Sequence, residues 1–231
     1  MAADPGAVEA IHLSKSLGGK PVLRRVDLSL AEGRIAALVG ANGAGKTTLL
    51  RCLAGMFRPD AGEVRWFGRP ARPDPAARRL IGMVSHQAAL YPHLSIRENL
   101  VFAARMYGSS QPGRDADQWL GRMGLEWYAD HLPARLSKGM RQRVAVARAL
   151  VHDPRVLFLD EPFSGLDQQG VEWLSEWLRQ LRQRGRTICL ATHDEKTRWM
   201  ADTILELRAG VLRVLAGGGA AAGLSPLARA A

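Results

Sequence analysis

The sequence predicts an α/β fold with an added antiparallel β portion and an inserted helical block, and three observations lead there. First, an apolar run, "GRIAALVG" (33–40), feeds directly into a glycine-rich loop and then a helical pattern. Second, "RVLFLDEP" (155–162) and "TICLATHD" (187–194) are apolar runs flanking a helical stretch from Gln168 to Arg184. Strand, helix, strand is the unit of a parallel sheet buried on both faces. Third, the signals from about Leu94 to Val151 are almost wholly helical.

Taken in order, "VEAIHLSKSL" (8–17) and "VLRRVDLSL" (22–30) alternate weakly between apolar and polar residues, as half-exposed antiparallel strands do. "TTLLRCLAG" (47–55) reads as a short helix with Gly55 near its C-cap. "GEVRWFG" (62–68) and "IGMVS" (81–85) are further strands. "SIRENLVFAARMYG" (95–108) opens with a capping-box pattern, Ser95 with Glu98, and stops at Gly108. In "GMRQRVAVARALV" (139–151), Met140, Val144, Ala147 and Val151 recur at helical spacing, so that face turns inward. "ILELRAGVLRVL" (204–215) predicts a hairpin turning at Ala209–Gly210. The expected organisation is one domain over 1–215, with a helical subdomain at about 88–150. A small-residue, low-complexity tail follows at 216–231.

Bulk properties narrow the classes. The chain has 231 residues, 47% hydrophobic and 23% charged, ordinary for a folded domain. No apolar run approaches the roughly 18–20 residues that cross a bilayer. The start, "MAADPGAVEAIHL", is not built as a secretory signal. A cytoplasmic protein that meets the membrane only through partners is expected. Cys52 and Cys189 read as buried small hydrophobes, and no Cys/His spacing suggests a metal cluster. The net charge of +10 comes mainly from arginines that are scattered rather than clustered, with no interleaved aromatic platform. Nucleic acid is therefore not an expected partner.

Three motifs carry chemistry. "GANGAGKT" fits G-x-x-x-x-G-K-[ST]. Gly40, Gly43 and Gly45 permit positive-φ turns, so that successive N–H groups can surround a triphosphate. The helix starting near Lys46 adds its positive end. Lys46 would neutralise the β- and γ-phosphates, and the Thr47 hydroxyl would ligate Mg²⁺. Asp160, carried by an apolar strand to the sheet's C-terminal edge, would hold the same Mg²⁺, and Glu161 would orient or activate the attacking water. His193, at the end of the next apolar strand, would sense the γ-phosphate. His12, His86, His93, His131 and His152 have no such context and read as structural.

In this order the motifs resemble the ATP-binding subunit of an ABC transporter, over nearly the whole chain. They run from Walker A at Gly40–Thr48 through a Q-loop glutamine, Gln87, to the signature "LSKGM" at Leu136–Met140. Walker B at Val156–Asp160 with Glu161, the D-loop "SGLD" at Ser164–Asp167 and the switch His193 complete the set. The resemblance implies a P-loop NTPase core and an ATPase that uses ATP and Mg²⁺. It adds Asn42, Thr48 and Asp167 to the nucleotide-binding residues and Gln87 to the Mg²⁺ and catalytic ones. It also implies a head-to-tail pair, a homodimer, in which Ser137 and the Gly139 N–H contact the γ-phosphate held by the partner. Its other partners would be integral membrane permease subunits, reached from the cytoplasmic face of the inner membrane.

Three departures stand out. Lys138 replaces a glycine and Met140 a glutamine of the usual LSGGQ signature. Leu17 occupies the place where the family often stacks an aromatic on adenine. "HQ" at His86–Gln87, "LSKGMRQR" and the absence of an added C-terminal regulatory domain are similar to export-type ATPases, among them the haem-exporter ATPase of cytochrome c maturation. Drug, lipid or polysaccharide export is the alternative cargo class, and an iron–sulfur assembly ATPase the alternative function. Trp173 and Trp177, one turn apart, are expected to pack a helix on the sheet.

Overall fold

The computed structural model describes residues 6–71, 75–86, 88–193 and 200–215. Among them, one sheet has the order β2-β1-β4-β5, with β1 (Val8–Leu17), β2 (Lys20–Leu30), β4 (Ala61–Trp66) and β5 (Arg69–Pro70) all antiparallel. The second has the order β10-β9-β3-β8-β7-β6. In it β9 (Thr203–Arg208), β3 (Ile35–Val39), β8 (Thr187–Thr192), β7 (Val156–Asp160) and β6 (Ile81–Val84) are parallel, and β10 (Val211–Leu215) closes one edge antiparallel.

Every residue of β3, β7 and β8 is buried. Successive side chains of a strand point to opposite faces, and here they divide two apolar cores. Ile35, Ala37, Leu157, Leu159, Ile188 and Leu190 face the helices. Ala36, Leu38, Val156, Phe158, Cys189 and Ala191 face the antiparallel sheet. Between the two sheets lies α1 (Lys46–Leu53), most of its residues buried, Leu49, Leu50, Cys52 and Leu53 among them. Burial pushes the thiols of Cys52 up to about 11 and Cys189 to about 12, because a thiolate loses its hydration there. Both act as the small hydrophobes expected.

The helical block consists of α3 (Ile96–Met106), α4 (Pro112–Met123) and α5 (Lys138–Leu150), after the short α2 (Pro75–Arg78). Ser95 and Glu98 form the expected reciprocal capping box on α3, of a kind worth about 1 kcal/mol. α4 ends at Gly124, whose φ of 66° suits a residue without Cβ. Its buried Ala116, Trp119, Leu120 and Met123 fall at i, i+3, i+4 and i+7, although the sequence did not separate it from its neighbours. On α5, Val144 and Ala147 are fully buried and Val151 nearly so, while Met140 packs at the margin of the same core. The β9–β10 hairpin turns at Ala209 (φ 49°) and Gly210 (φ 78°), two consecutive left-handed residues as a tight hairpin needs.

Leu174, Leu178 and Leu181 form the fully buried face of α6 (Gln168–Gln183). Trp173 and Trp177 sit beside that face, partly buried against the same core, and also reach the helical block. Trp177 meets Trp119 of α4 at 5.9 Å, and the Arg143 guanidinium of α5 lies 4.8 Å from the Trp173 ring centre. Period alone assigns a face to the helix, but not the neighbour opposite it.

Candidate active site

The parallel order places the C-terminal ends of β3, β8 and β7 side by side, and each end delivers functional residues. After β3 the chain passes through Gly40 (φ 154°), Gly43 (φ 79°) and Gly45 (φ 104°) into α1. The three glycines have different reasons to be there. A Cβ on Gly40 would strike the Leu207 carbonyl oxygen, and one on Gly45 would press on Val22 at 3.0–3.2 Å. Gly43 has nothing within 4 Å. Gly40 and Gly45 thus let the loop fit between its neighbours, while Gly43 leaves its outer surface bare for a ligand.

Lys46 is 7% exposed, and its ammonium donates to the Gly40 carbonyl at 2.8 Å and the Ala41 carbonyl at 3.3 Å. Glu161 Oε1 lies 3.6 Å from the same nitrogen. The Thr47 hydroxyl donates to Asp160, 2.8 Å from Oδ2 and 3.1 Å from Oδ1. Asp160 ends β7 and is 2% exposed. Glu161 follows with a left-handed φ of 50°, and its N–H donates to the Ala191 carbonyl of β8 at 2.9 Å. That bond carries the pairing one residue past the strand and fixes the carboxylate at the edge. Glu161 Oε2 then accepts from His193 Nδ1 at 2.8 Å. The carboxylate can only accept, so Nδ1 is the protonated nitrogen.

Leu17, Val22, Asn42, Thr48, Arg51, His86, Pro133 and Arg141 join Lys46, Thr47, Asp160, Glu161 and His193 around a cleft of about 1220 Å³. Leu17, 42% exposed, forms part of its apolar wall together with Val22. His86, read as structural, lines the cleft as well. Arg51 and Arg141 were not singled out in the sequence, and only their spacing one helical turn from Thr47 and Ser137 could have drawn attention to them. Gln87 lies outside the described residues; Ser85, His86, Ala88 and Ala89 around it all line the cleft.

Ser137, Gly139 and Asp167 are not among the residues lining this cleft. Ser137 is the N-cap of α5, its Oγ accepting from the Met140 N–H at 3.2 Å. Asp167 is the N-cap of α6, accepting from the Gly170 N–H at 2.8 Å. Its side chain caps the helix, away from the residues that line this subunit's own cleft.

The donor set suits one hard divalent cation. Thr47 Oγ1 and the Asp160 carboxylate converge, both oxygen donors, and Mg²⁺ commonly takes only one or two protein ligands and completes its shell with phosphate and water. No cluster of three or more His, Cys, Asp or Glu residues able to hold a metal occurs among the described residues.

Comparison with known proteins agrees with this geometry. The family model "ABC transporter" matches residues 23–164. A sulfate/thiosulfate import ATP-binding protein from Cucumis sativus is 40% identical over 212 residues, which cover 88% of this chain and 61% of that protein. Its namesake from Bordetella parapertussis is also 40% identical, over 88% of this chain and 60% of its own length. The chain therefore spans about three fifths of the curated relatives it matches. Among solved structures, the ATP-binding cassette MJ0796, a dimer bound to ADP and Pi, superposes with a TM-score of 0.84 at 29% identity, over 92% of this chain and all of that one. A Clostridium perfringens cassette that is part of an ABC transporter complex gives 0.79 at 28%, over 92% of this chain and 88% of that one. With the glycine loop, the Asp160–Glu161 pair and His193 gathered at one sheet edge, the chain belongs to the ABC transporter family.

Proposed function

We propose that the chain is the ATP-hydrolysing subunit of an ABC transporter, closing head to tail with a second copy around two ATP molecules. The observation that carries this is the convergence of Lys46, Thr47, Asp160, Glu161 and His193, from three neighbouring strand ends, on one cleft. In this reading Lys46 exchanges its carbonyl contacts for the β- and γ-phosphates. Asn42, Thr48 and the N–H groups of the Gly40–Gly45 loop hold the remaining phosphate oxygens. Thr47 and Asp160, with Gln87, would hold Mg²⁺, which would supply charge neutralisation at the phosphates. Glu161 accepts a proton from the attacking water as its oxygen bonds to the γ-phosphorus and the β–γ bridge breaks, leaving ADP and phosphate. His193 holds Glu161 in place for that step.

Ser137 and Gly139 lie outside this subunit's own cleft, which supports their acting on the partner's ATP. The first turn of α5 presents N–H groups to an anion. ATP is then the glue of the dimer, and hydrolysis lets the halves part. A groove beside α3 supports the membrane partner. Met56, Tyr91, Phe102 and Met106 are 60, 47, 40 and 70% exposed there, an apolar patch of the kind that marks a protein contact. Ser85 and Ala89 line both groove and cleft, so closure on ATP is felt where a permease subunit would bind. No helix among the described residues is long and apolar enough to cross a membrane. The proposed location is the cytoplasmic face of the inner membrane, held there by permease subunits.

A mixed dimer tests the arrangement. Combining a Lys46→Ala chain with a Ser137→Arg chain places both lesions at one of the two ATP sites and leaves the other intact. ATPase activity above that of either variant alone is expected. No recovery in a proven heterodimer rejects the head-to-tail site.

Two readings of cargo have support. The sulfate/thiosulfate import proteins at 35–40% identity support import of a small oxyanion. "HQ" at 86–87 and "LSKGM" at 136–140 support an exporter, with haem for c-type cytochromes as its cargo. Cells carrying only the Lys46→Ala protein separate them. Loss of covalent haem in c-type cytochromes, with b-type haem proteins normal, supports export of haem. Failure to grow on sulfate as sole sulfur source supports import.

A further inference from the structure

The first turn of α5 and the loop 164–167 touch within one subunit, and the contact is made by Lys138. A Cβ built on Gly165 would collide with Lys138 Nζ and lie 2.9 Å from its Cε and 3.2 Å from its Cδ. The end of the lysine side chain, its ammonium nearest and its Cε and Cδ next, therefore lies against Gly165. That glycine has a φ of 68°, a conformation other residues adopt only with strain. Gly139 is 4.0 Å from Leu166 Cδ2 by the same construction. Among the described residues, Lys138 Nζ has no hydrogen bond or ion pair. Within this subunit its contribution is the packing of the end of its side chain against Gly165.

The loop under that stem is short and tied at both ends. The Ser164 N–H donates to the Glu161 carbonyl at 3.1 Å, and the Leu166 N–H to the Phe163 carbonyl at 3.2 Å. Asp167 then caps α6. Between Glu161 and the start of α6 the backbone has little freedom, so pressure at Gly165 is felt at Glu161.

We infer that Lys138 is a positioning residue for hydrolysis, its stem bracing Gly165 so that the first turn of α5 sets the backbone that carries Glu161. The inference rests on the head-to-tail reading above. In that dimer the first turn of α5 faces the partner's γ-phosphate, so a nucleotide in one site sets the base of the other through Lys138. A glycine at 138 has no stem and cannot make this contact.

The test uses steady-state hydrolysis by the full-length chain. Lys138 is exposed, so its variants should fold, and unchanged thermal unfolding checks that. Lys138→Ala should lower kcat about tenfold with KM for ATP nearly unchanged, the mark of an interaction that acts on the reaction step rather than on binding. Cooperativity in ATP should fall with it. Lys138→Met, which keeps the stem and drops the charge, should restore kcat. Gly165→Ala should also slow turnover, and the two lesions together should cost less than their separate effects combined, since both break one contact.

Unchanged kcat in Lys138→Ala overturns the inference. A Lys138→Met variant as slow as Lys138→Ala, with Lys138→Arg active and KM raised, overturns it in favour of a charge contact to phosphate. If the mixed dimer recovers activity while Lys138→Ala turns over normally, only this inference fails. If the mixed dimer does not recover, the head-to-tail reading fails and takes the link between sites with it.

Discussion

Glu161 and His193, 32 residues apart, share a hydrogen bond of 2.8 Å across the ends of two adjacent parallel strands. β7 and β8 are paired in register, with Asp160 opposite Ala191. Each chain therefore leaves the sheet at the same level, and the next side chains meet. Glu161→Gln keeps the size of the side chain and removes its basicity. Turnover should fall by about 100-fold or more, the scale of a lost general base, while Mg·ATP still binds. An ATP-bound dimer should accumulate on a sizing column. Near-normal turnover would show that another group takes the proton.

Leu17 forms part of the apolar wall beside the glycine loop and is 42% exposed. A leucine gives a base dispersion contacts but no ring to stack on. ATP and GTP should bind with similar affinity. Leu17→Tyr should tighten both by about fivefold, the equivalent of roughly 1 kcal/mol for an aromatic stack. Nucleotide titration of the two proteins measures this. A strong native preference for ATP would mean that a different residue reads the base.

His152 stacks on Tyr107 with ring centres 3.6 Å apart and planes 10° from parallel. It joins the ends of α3 and α5, and its Nε2 donates to the Ile81 carbonyl of β6 at 3.0 Å. Burial holds its pKa below the usual 6.5, with Arg79 acting in the same direction and the Ile81 carbonyl and Asp153 opposing. The unfolded chain thus binds the proton more readily than the native one. The stability this gives is fully present above pH 6.5 and is lost as pH falls through the lower native pKa. His152→Phe keeps a ring against Tyr107 but cannot titrate. Its melting temperature should decline less than the parent's as pH falls from 6.5 through the lower native pKa, and equal slopes over that range would exclude His152 as a source of acid sensitivity.

Much of the site was legible in the sequence because its chemistry is local. The glycine loop, Lys46 and Thr47 lie within one loop and the first turn of a helix, and the Asp160–Glu161 pair ends a strand whose apolar run marks it as buried. The same holds for the capping box at Ser95 and Glu98 and for the turn at Ala209–Gly210, where short-range geometry dictates residue type. The sequence by itself determined most strands, the helices with sharp local signals such as α1, α3, α5 and α6, and the end of each strand that bears function, but not the short β5 and α2 or the bounds of α4.

Only tertiary structure decided which elements are neighbours. Strand order β3-β8-β7 brings Thr47 onto Asp160 and His193 onto Glu161, and nothing in a linear pattern orders strands within a sheet. Period could turn Trp173 and Trp177 inward, but not say that Trp119 and Arg143 would meet them. It could note Lys138 as a departure, but not lay it across Gly165. The physical reason is common to all three. Backbone hydrogen bonds and hydrophobic period act over a few residues and are written locally. Packing depends on contacts between segments far apart in the chain, and those exist only once the sheet has formed.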